Sequence, residues 1–427
     1  MRRAACAVML VASVLAGSLL AQQAPPQRGI ITRVDADHGV VTITTADGKT
    51  VDCAIVPQTM FRDAANQPIA NAKATSLPAG TAVMFKAEAR GGRLLLVGMR
   101  LEPAGGQRPA RGNAGGPRPK VPAPPPPRDS IGVKPLTELG NGTYKGETGG
   151  LYGNGRNEPP PQQQDAAKQA AARMQPLDAQ GKPSTGGKIG LIGVGMSNTT
   201  QEFSVFKKLA DADRQKSDNV AIVDVAQGGQ ASAQWIDPES ASGRQVWGTV
   251  DQRLKAAGVA NEQVQVVWIK QALIAEAQYG EFPAHAKKLE SDLVTTLQLL
   301  KQRFPNLQLA YMSSRIYAGY ATTSLNPEPY AYEGAFAIRW IIDAQVKGDP
   351  ALNDDAARGK VQSPVVLWGP YLWGDGTTPR KDGVVWNRDD LRDNDGTHPS
   401  PSGQKKVADM LMAFFHADPS AKSWYLK

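Results

Sequence analysis

The sequence predicts a mixed α/β protein in which a small all-β domain precedes a larger domain with a parallel sheet. Three observations lead to this prediction. Residues 28–103 alternate between apolar and polar side chains in short runs separated by turn residues, which is typical of antiparallel strands. From residue 188 onwards, continuous apolar runs typical of buried parallel strands take over. The length of 427 residues suits two or three domains, and a hydrophobic fraction of 41% excludes wholesale disorder.

The first 21 residues have the pattern of a secretory signal peptide. Arg2 and Arg3 are followed by an apolar or small stretch over residues 6–20, and Ala21 suits cleavage. A membrane anchor is the alternative, but the stretch is short for a span and two prolines soon follow. We therefore expect a periplasmic or secreted protein with no transmembrane helix after cleavage. Cleavage would leave Cys53 as the only cysteine, which excludes an intramolecular disulfide.

The predicted all-β domain, residues 28–103, contains about five short strands, which suggests a small barrel or sandwich. We expect an accessory module, because no catalytic constellation occurs there and His38 lies in a turn. Residues 104–135 are predicted to be a Pro/Gly-rich linker, and residues 136–187 an irregular arm. The linker is basic, because it has no acidic residue before Asp129 and contains five cationic residues, namely Arg108, Arg111, Arg118, Lys120 and Arg128.

Residues 188–427 are predicted to form a three-layer α/β/α domain with a flavodoxin-like parallel sheet. Its five predicted strands cover residues 189–194, 220–225, 264–269, 307–312 and 365–368. Helices are predicted over residues 200–212, 283–303, 332–346 and 402–415. In such sheets the functional residues gather at the carboxyl ends of the strands.

Polar or glycine residues follow the first two of these strands. Ser197 stands at the turn from the first strand into a helix, where the helix amides can stabilise an anion. A plain helix cap is the alternative for Ser197. Gly228 and Gly229 follow the second strand, where they allow close backbone approach to a ligand or make an ordinary turn.

Asp395 and His398 stand three residues apart in a turn near the carboxyl end of the chain. At this spacing the carboxylate can orient and charge-stabilise the imidazole while the imidazole acts as a base. Of the other histidines, His38 lies outside the domain, His285 is on a polar helix, and His416 follows a helix end. His398 is therefore the best general-base candidate.

The order of these residues resembles that of the SGNH (GDSL-like) hydrolase superfamily, over about residues 187–418. Gly195-Met196-Ser197-Asn198-Thr199 is similar to its first block, which implies Ser197 as the nucleophile. Gly229 is similar to the glycine whose amide helps form the oxyanion hole. The stretch from Asp395 to His398 matches the last block, implying the other two members of a catalytic triad.

Other positions depart from the family pattern or extend it. The third block usually carries Asn or Ser before Asp, whereas the third strand here runs into Lys270-Gln271-Ala272. Gln271 could supply an amide donor to the oxyanion, and Lys270 a positive charge. Gly228-Gly229 followed by Trp235 resembles the carbohydrate acetylesterase branch of the family.

Further candidates for substrate binding lie after later strands. Arg315 follows the fourth strand and could bind a carboxylate or sugar hydroxyls, with a surface or ion-paired arginine as the alternative. Trp235, Trp373 and Trp386 could stack on sugar rings, although apolar packing is the commoner role of buried aromatics.

The resemblance implies a secreted serine ester hydrolase, specifically an acetylesterase acting on carbohydrate, with no metal or organic cofactor. Its expected partners are a carbohydrate ester or another small acyl ester, and a cell-envelope polysaccharide. The alternative is a non-catalytic glycan-binding or cell-envelope protein on the same fold. A nucleic-acid-binding protein is disfavoured, because the formal charge of +8 lies mainly in the signal and linker segments.

Overall fold

The computed structural model describes residues 27–35, 39–45, 48–62, 81–90, 93–101 and 126–427. The chain divides into two compact units, Met1–Arg118 and Pro119–Lys427. The predicted signal peptide, His38 and residues 104–125 of the predicted linker lie outside the described residues. No helix in the described ranges combines the length and the hydropathy needed to cross a bilayer.

The first unit contains a closed five-stranded barrel with the strand order β1-β2-β3-β5-β4. Its strands are β1 (Gln27–Asp35), β2 (Val40–Thr45), β3 (Thr50–Arg62), β4 (Ala82–Arg90) and β5 (Arg93–Leu101). Neighbouring strands are antiparallel except β3 and β5, which pair in parallel. The all-β prediction is confirmed, and the barrel is the form that the strands adopt.

The barrel encloses its own small hydrophobic core, to which alternate residues of the strands contribute. Ile31, Val41, Ile43 and Leu96 are fully buried there. Cys53 lies in the same core, and burial, with a contribution from the charge of Asp52, raises the pKa of its thiol to about 11. The thiol is therefore protonated at neutral pH and packs as a small apolar group.

The second unit begins with an arm that precedes its main sheet. A two-stranded hairpin, β6 (Thr143–Tyr144) and β7 (Glu147–Thr148), is followed by helix α1 (Pro161–Ala172). The prediction of irregular backbone over residues 136–187 was wrong for α1. The helix has proline at its first position and an alanine-rich sequence, which are both recognised helix signals.

Five parallel strands form the central sheet of this unit, in the order β12-β11-β10-β8-β9. They are β8 (Ile189–Gly195), β9 (Val220–Asp224), β10 (Val264–Lys270), β11 (Leu309–Met312) and β12 (Val365–Trp368). Numbered along the chain the order is 2-1-3-4-5, one of the two common orders of doubly wound sheets. The mixed α/β class and the parallel sheet are thus confirmed, whereas the three-layer flavodoxin-like assignment stays a prediction.

Helices connect these strands, as crossover connections between parallel strands require. The connecting helices are α2 (Ser197–Ala212), α3 (Ala241–Ala256), α4 (Ala284–Arg303) and α5 (Tyr330–Val346). Helices α6 (Pro401–Ala417) and α7 (Lys422–Tyr425) follow the last strand. Helix α2 packs against β8, β9 and α6, while α4 packs against α5. The ends of the four predicted helices differ from those observed by at most three residues.

The chain enters the second unit through an anchor on Asp375. The Ser130 hydroxyl donates to its Oδ2 atom at 2.6 Å, and the amides of Ile131 and Gly132 donate at 2.7 and 3.1 Å. Asp375 is itself buried, so these donors replace the water that its carboxylate has lost. The Pro/Gly-rich linker was predicted to extend to residue 135, whereas residues 130–132 are hydrogen-bonded to Asp375 within the second unit.

We expect Asp375→Ala to lower the free energy of unfolding by about 1–3 kcal/mol, because it removes the shared buried acceptor of three part-buried hydrogen bonds. Urea unfolding of purified protein measures this loss. Asp165→Ala on the exposed face of α1 is the matched control and should change stability by less than about 0.5 kcal/mol. Equal effects of the two substitutions would contradict the anchoring role of Asp375.

Candidate active site

Ser197, His398 and Asp395 form a hydrogen-bonded chain at the carboxyl end of the sheet. The Ser197 Oγ atom lies 2.8 Å from His398 Nε2, and His398 Nδ1 lies 2.7 Å from Asp395 Oδ2. With the ring proton on Nδ1, the imidazole donates to Asp395 and its Nε2 atom accepts from the serine hydroxyl. This is the arrangement in which a histidine removes the proton of a serine nucleophile.

Asp395 is held in its ionised form by the turn that it begins. Its Oδ1 atom accepts from the amides of Thr397 and His398, at 2.8 and 2.9 Å. Burial tends to raise the pKa of Asp395, but the hydrogen bonds from these two amides and from the His398 ring hold it below its ordinary value. The carboxylate is thus available to stabilise a positively charged imidazole.

Ser197 is the first residue of α2, and only Met196 separates it from the end of β8. The side chain of Thr199 joins this turn to the sheet, because its Oγ1 atom accepts from the amide of Met196 and donates to the Lys270 carbonyl at 2.6 Å. The Asn198 side chain donates to the Thr397 carbonyl at 2.9 Å, which joins α2 to the histidine loop. The serine and histidine loops are therefore connected by a contact besides their catalytic one.

The close approach of the Lys270 carbonyl and the Thr199 side chain to the end of β8 requires glycine at position 195. A Cβ atom there would lie 2.2 Å from the Lys270 carbonyl oxygen and 2.4 Å from Thr199 Oγ1. Both distances are far inside van der Waals contact, so any side chain would push the first turn of α2 away from the sheet. The glycine in the predicted first block thus serves the position of Ser197.

Two backbone amides, those of Ser197 and Gly229, belong to residues that line the cavity beside the hydrogen-bonded chain and are the candidates for an oxyanion hole. Ser197 supplies one from the first turn of α2, and Gly229 supplies the other from the loop after β9. Gly229 has φ +77°, a left-handed conformation that favours glycine. Among the described residues, neither amide donates a hydrogen bond to another backbone group. Both donors are therefore free for an oxyanion.

A cavity of about 320 Å³ opens beside Ser197 and His398. Its wall is partly apolar and partly polar, and includes Gly229, Leu273, Ile274, Arg315, Leu325 and Asn326. A larger cavity of about 720 Å³ lies beside α1, but no serine, cysteine or histidine lines it. The smaller cavity is the one that adjoins the hydrogen-bonded chain.

Two loops form one side of this cavity and are bonded to each other. Residues 271–283 follow β10, and residues 313–329 follow β11. The Ala275 amide donates to the Ser324 carbonyl at 3.1 Å, and the Asn326 side chain donates to Glu276 Oε1 at 2.6 Å. We call these residues the paired loops.

Arg315 lies in the second of the paired loops and lines the cavity. The residue is only 3% exposed, and its Nε and Nη2 atoms are buried without a hydrogen-bond partner. The structure thus brings this predicted substrate-binding residue to the same cavity as Ser197. The alternative of an ion-paired surface arginine is wrong, since Arg315 is buried and forms no ion pair with any described residue.

Gln271 and Lys270, the two side chains of the third block that were predicted to act on an oxyanion, do not line the cavity. Gln271 is buried, and its amide nitrogen lies 3.4 Å from the Gln230 carbonyl while its oxygen accepts from the Ala272 amide. Lys270 is fully buried and pairs with Glu202 on α2. Neither side chain lines the cavity, so the prediction of an oxyanion donor at Gln271 was wrong in this conformation.

The tryptophans predicted to stack on sugars belong to the hydrophobic core. Trp235, Trp373 and Trp386 are fully buried. Their indole nitrogens donate to the Gln230 carbonyl, the Glu328 carboxylate and the Leu372 carbonyl. The sugar-platform prediction was therefore wrong for all three, and apolar packing was the correct alternative.

The other two described histidines are engaged elsewhere. His285 is buried and its Nε2 atom lies 2.7 Å from Glu333, whereas the Nε2 atom of His416 lies 2.7 Å from Asp213. Neither lines the cavity. In the part of the chain that the structure describes, no group of three or more His, Cys, Asp or Glu side chains is arranged to hold a metal ion.

Several residues of the site were missed by sequence reasoning. The Asn198 link to the histidine loop had a signal, since this residue directly follows Ser197. The contact between Glu276 and Asn326 joins residues 50 positions apart, and no periodicity or spacing announces it. Such contacts depend on how two irregular loops fold together.

Comparisons with known proteins gave distant structural likenesses only. No family model matches the chain, and no curated protein matches it significantly. A protein from Slackia heliotrinireducens whose name assigns it to the SGNH hydrolases is 18% identical, over 53% of this chain and 98% of its own, with a TM-score of 0.26. The salicylyl-acyltransferase SsfX3 of a tetracycline biosynthetic pathway is 14% identical, over 56% of this chain and 58% of its own, with a TM-score of 0.32.

The barrel has its own likeness among solved structures. Apo-CusF from Escherichia coli is 18% identical, over 21% of this chain and 100% of its own, with a TM-score of 0.16. At these scores, none of the likenesses carries an argument about function. The argument therefore depends on the geometry of the site.

We predict that ionisation of Glu276 makes the stability of the folded protein depend on pH. Burial raises the pKa of Glu276 to about 7, against the hydrogen bond from Asn326 and the charge of Arg315, which lower it. Because its pKa is raised in the folded state, the carboxyl contributes stability below about pH 4.5 that is lost as the pH rises to about 7.

We therefore expect Glu276→Gln to gain stability relative to the wild type between pH 5 and pH 8, by at most about 3 kcal/mol. Thermal unfolding of both proteins across this range measures the difference. Glu281→Gln, at an exposed position of the same loop, is the control and should follow the wild type. A difference that is constant with pH would contradict the assignment of this titration to Glu276.

Proposed function

We propose that this protein is an exported serine ester hydrolase with an SGNH hydrolase-like fold, and that it removes small acyl groups such as acetyl from carbohydrate. The observation that carries the hydrolase proposal is the hydrogen-bonded chain of Ser197, His398 and Asp395 beside an open cavity. The sequence resemblance described above supports the carbohydrate ester, and the pattern of residues 1–21 supports export.

The first half of the reaction forms an acyl-enzyme. Ser197 Oγ attacks the ester carbonyl carbon while its proton passes to His398 Nε2. The carbonyl oxygen becomes an anion that accepts hydrogen bonds from the amides of Ser197 and Gly229. When this intermediate collapses, the alcohol leaves with the proton of His398, and the acyl group remains on Ser197.

The second half returns the enzyme to its starting state. A water molecule gives a proton to His398 and attacks the acyl carbonyl carbon, which again places an oxyanion before the two amides. Collapse breaks the bond to Ser197, the serine recovers the proton from His398, and the carboxylic acid is released. Asp395 keeps its charge throughout and stabilises the imidazolium that forms in each half.

We expect Ser197→Ala to lower kcat for an acetyl ester by at least about 10³-fold with little change in stability, because the variant lacks the attacking oxygen. Hydrolysis of 4-nitrophenyl acetate and of an acetylated sugar, each by purified protein, measures this. Ser242→Ala at an exposed position of α3 is the matched control and should retain wild-type rates. Equal rates in Ser197→Ala and the wild type would show that Ser197 is not the nucleophile.

A second candidate function is a non-catalytic glycan-binding protein on the same fold. It is favoured by the engaged side chain of Gln271, which leaves the oxyanion to the two backbone amides. Loss of one oxyanion donor costs about 10²–10³ in rate where it has been measured. A fluorophosphonate probe separates the candidates, since stoichiometric labelling at Ser197 supports the hydrolase. Glycan binding that survives Ser197→Ala, with no labelling of the wild type, supports the binding protein.

A further inference from the structure

The Arg315 guanidinium is a buried positive charge without a direct partner. It follows β11, is 3% exposed, and has two nitrogen atoms that are sealed from solvent and unbonded. Removing a charged group from water is unfavourable, and folded proteins usually offset this loss of hydration with an ion pair and hydrogen bonds. No described residue provides either for this guanidinium.

The carboxylates that act on the charge of Arg315 each have a hydrogen bond to another group, although the Glu202 Oε1 and Glu276 Oε2 atoms are buried without a partner. Glu202 pairs with Lys270, and Asp395 with His398. The Glu328 carboxylate accepts from the Ala318 amide at 2.9 Å and from the Trp373 indole at 2.8 Å. These carboxylates interact with the charge of Arg315 through space but form no hydrogen bond or ion pair with it.

Two of the neighbouring carboxyls are also weak counter-charges at neutral pH. Burial raises the pKa of Glu276 and of Glu328 to about 7, although hydrogen bonds and the charge of Arg315 act in the opposite direction. Each is therefore partly protonated near pH 7. These two carboxyls therefore offset the positive charge of Arg315 less than fully ionised carboxylates would.

This charge lies where a substrate would lie. Arg315 lines the same cavity of about 320 Å³ as Ser197, His398 and the Gly229 loop. Asn326 lines it too, and its Oδ1 atom is likewise buried without a partner. The volume is near the lower end of ligand pockets, roughly 300–1,000 Å³, and suits a ligand of about monosaccharide size.

We propose that Arg315 binds a carboxylate of the ester substrate, so that the site selects carboxylate-bearing esters over neutral ones. This proposal rests on the proposed function and adds the substrate class. A guanidinium is suited to carboxylates because its charge-assisted hydrogen bonds are strong ones. The residue lines the cavity, although its Nε and Nη2 atoms are sealed from solvent. The carboxylate belongs either to the acyl group or to the alcohol, and both positions bring it into the cavity of Ser197.

Two matched pairs of esters test the proposal and separate these positions. For the acyl group, 4-nitrophenyl hemisuccinate is compared with 4-nitrophenyl butyrate. For the alcohol, an O-acetylated methyl glucuronide is compared with the O-acetylated methyl glucoside. We expect the wild type to have a kcat/KM about 10- to 100-fold higher for the charged member of one pair. The pair that shows the preference identifies which part of the substrate carries the carboxylate.

Variants at Arg315 assign this preference to its charge. We expect Arg315→Gln to lower kcat/KM for the preferred charged ester by about 10- to 100-fold and that for its neutral counterpart by less than about threefold. Arg315→Lys should keep part of the preference, because it keeps the charge but not the planar donors. Arg214→Gln is the control for loss of one positive charge, since Arg214 is exposed in the loop after α2, and it should keep the full preference.

A binding measurement covers the case in which the Arg315 variants do not fold or turnover is absent. Methyl glucuronide and succinate are titrated calorimetrically into full-length Ser197→Ala protein at constant ionic strength, with methyl glucoside as the neutral control. We expect at least one of the two carboxylates to bind and the glucoside to bind at least about tenfold more weakly.

The outcomes separate this proposal from the proposed function. Equal kcat/KM within both ester pairs, or no binding of either carboxylate, overturns the carboxylate proposal and leaves the hydrolase intact if Ser197→Ala is inactive. Ester turnover that persists in Ser197→Ala contradicts the proposed function instead. Carboxylate binding without any turnover keeps the Arg315 site and favours the glycan-binding alternative.

Discussion

The position of Ser197 depends on the way in which the first turn of α2 is held by the end of β10. The Lys270 carbonyl accepts from Thr199, and the Lys270 side chain pairs with Glu202, one turn further along the same helix. Lys270 also lies opposite Gly195 in the parallel register of β10 and β8. One strand-end residue thus holds the helix through both its backbone and its side chain.

The loss of hydration on burial explains why the Lys270 and Glu202 side chains lie so close together. A fully buried lysine and glutamate lose their hydration, and only a close pair with each other offsets the loss. Burial accordingly lowers the pKa of Lys270 to about 8, while it raises that of Glu202. Because the pair lies inside the domain and not in the cavity, it positions the serine without adding charge at the carbonyl group of a substrate.

The positive charge that lines the cavity is that of Arg315, which belongs to a different loop. Arg315 is carried by the loop after β11, on the opposite side of β10 from the serine turn. The sheet order therefore separates two groups of residues, since Ser197 and Gly229, the candidates for an oxyanion hole, follow β8 and β9, whereas Arg315 follows β11. Both sets reach one cavity because parallel strands end at the same edge of a sheet.

The parts that could be predicted from sequence are those with a local or periodic pattern. Apolar runs revealed the strands, and strand ends directed attention to Ser197 and Gly229. The three-residue spacing of Asp395 and His398 in a turn directed attention to that pair. Side-chain direction has no such pattern. Lys270 and Gln271 follow a strand just as Ser197 does, yet packing turns the first inward and backbone hydrogen bonds occupy the second.

The tryptophans also show that the sequence pattern does not determine where a side chain points. Trp373 follows a strand, as a ligand-stacking aromatic would, but its indole nitrogen has a buried partner in Glu328. Whether an aromatic side chain faces a ligand or the core depends on elements distant in sequence. The Asp375 anchor is a further case, since it joins residues more than 240 positions apart.

The paired loops have a consequence for how the specificity of such a site can diversify. Ala275 bonds to Ser324, and Glu276 to Asn326, so each loop supplies the bonding partners of the other. Ile274 and Leu325, which are 44% and 39% exposed, come one from each loop and flank the same opening. Recombination that replaced a single loop would leave a buried carboxyl or amide unpaired. New substrate ranges are therefore most accessible when both loops are inherited together, as one module.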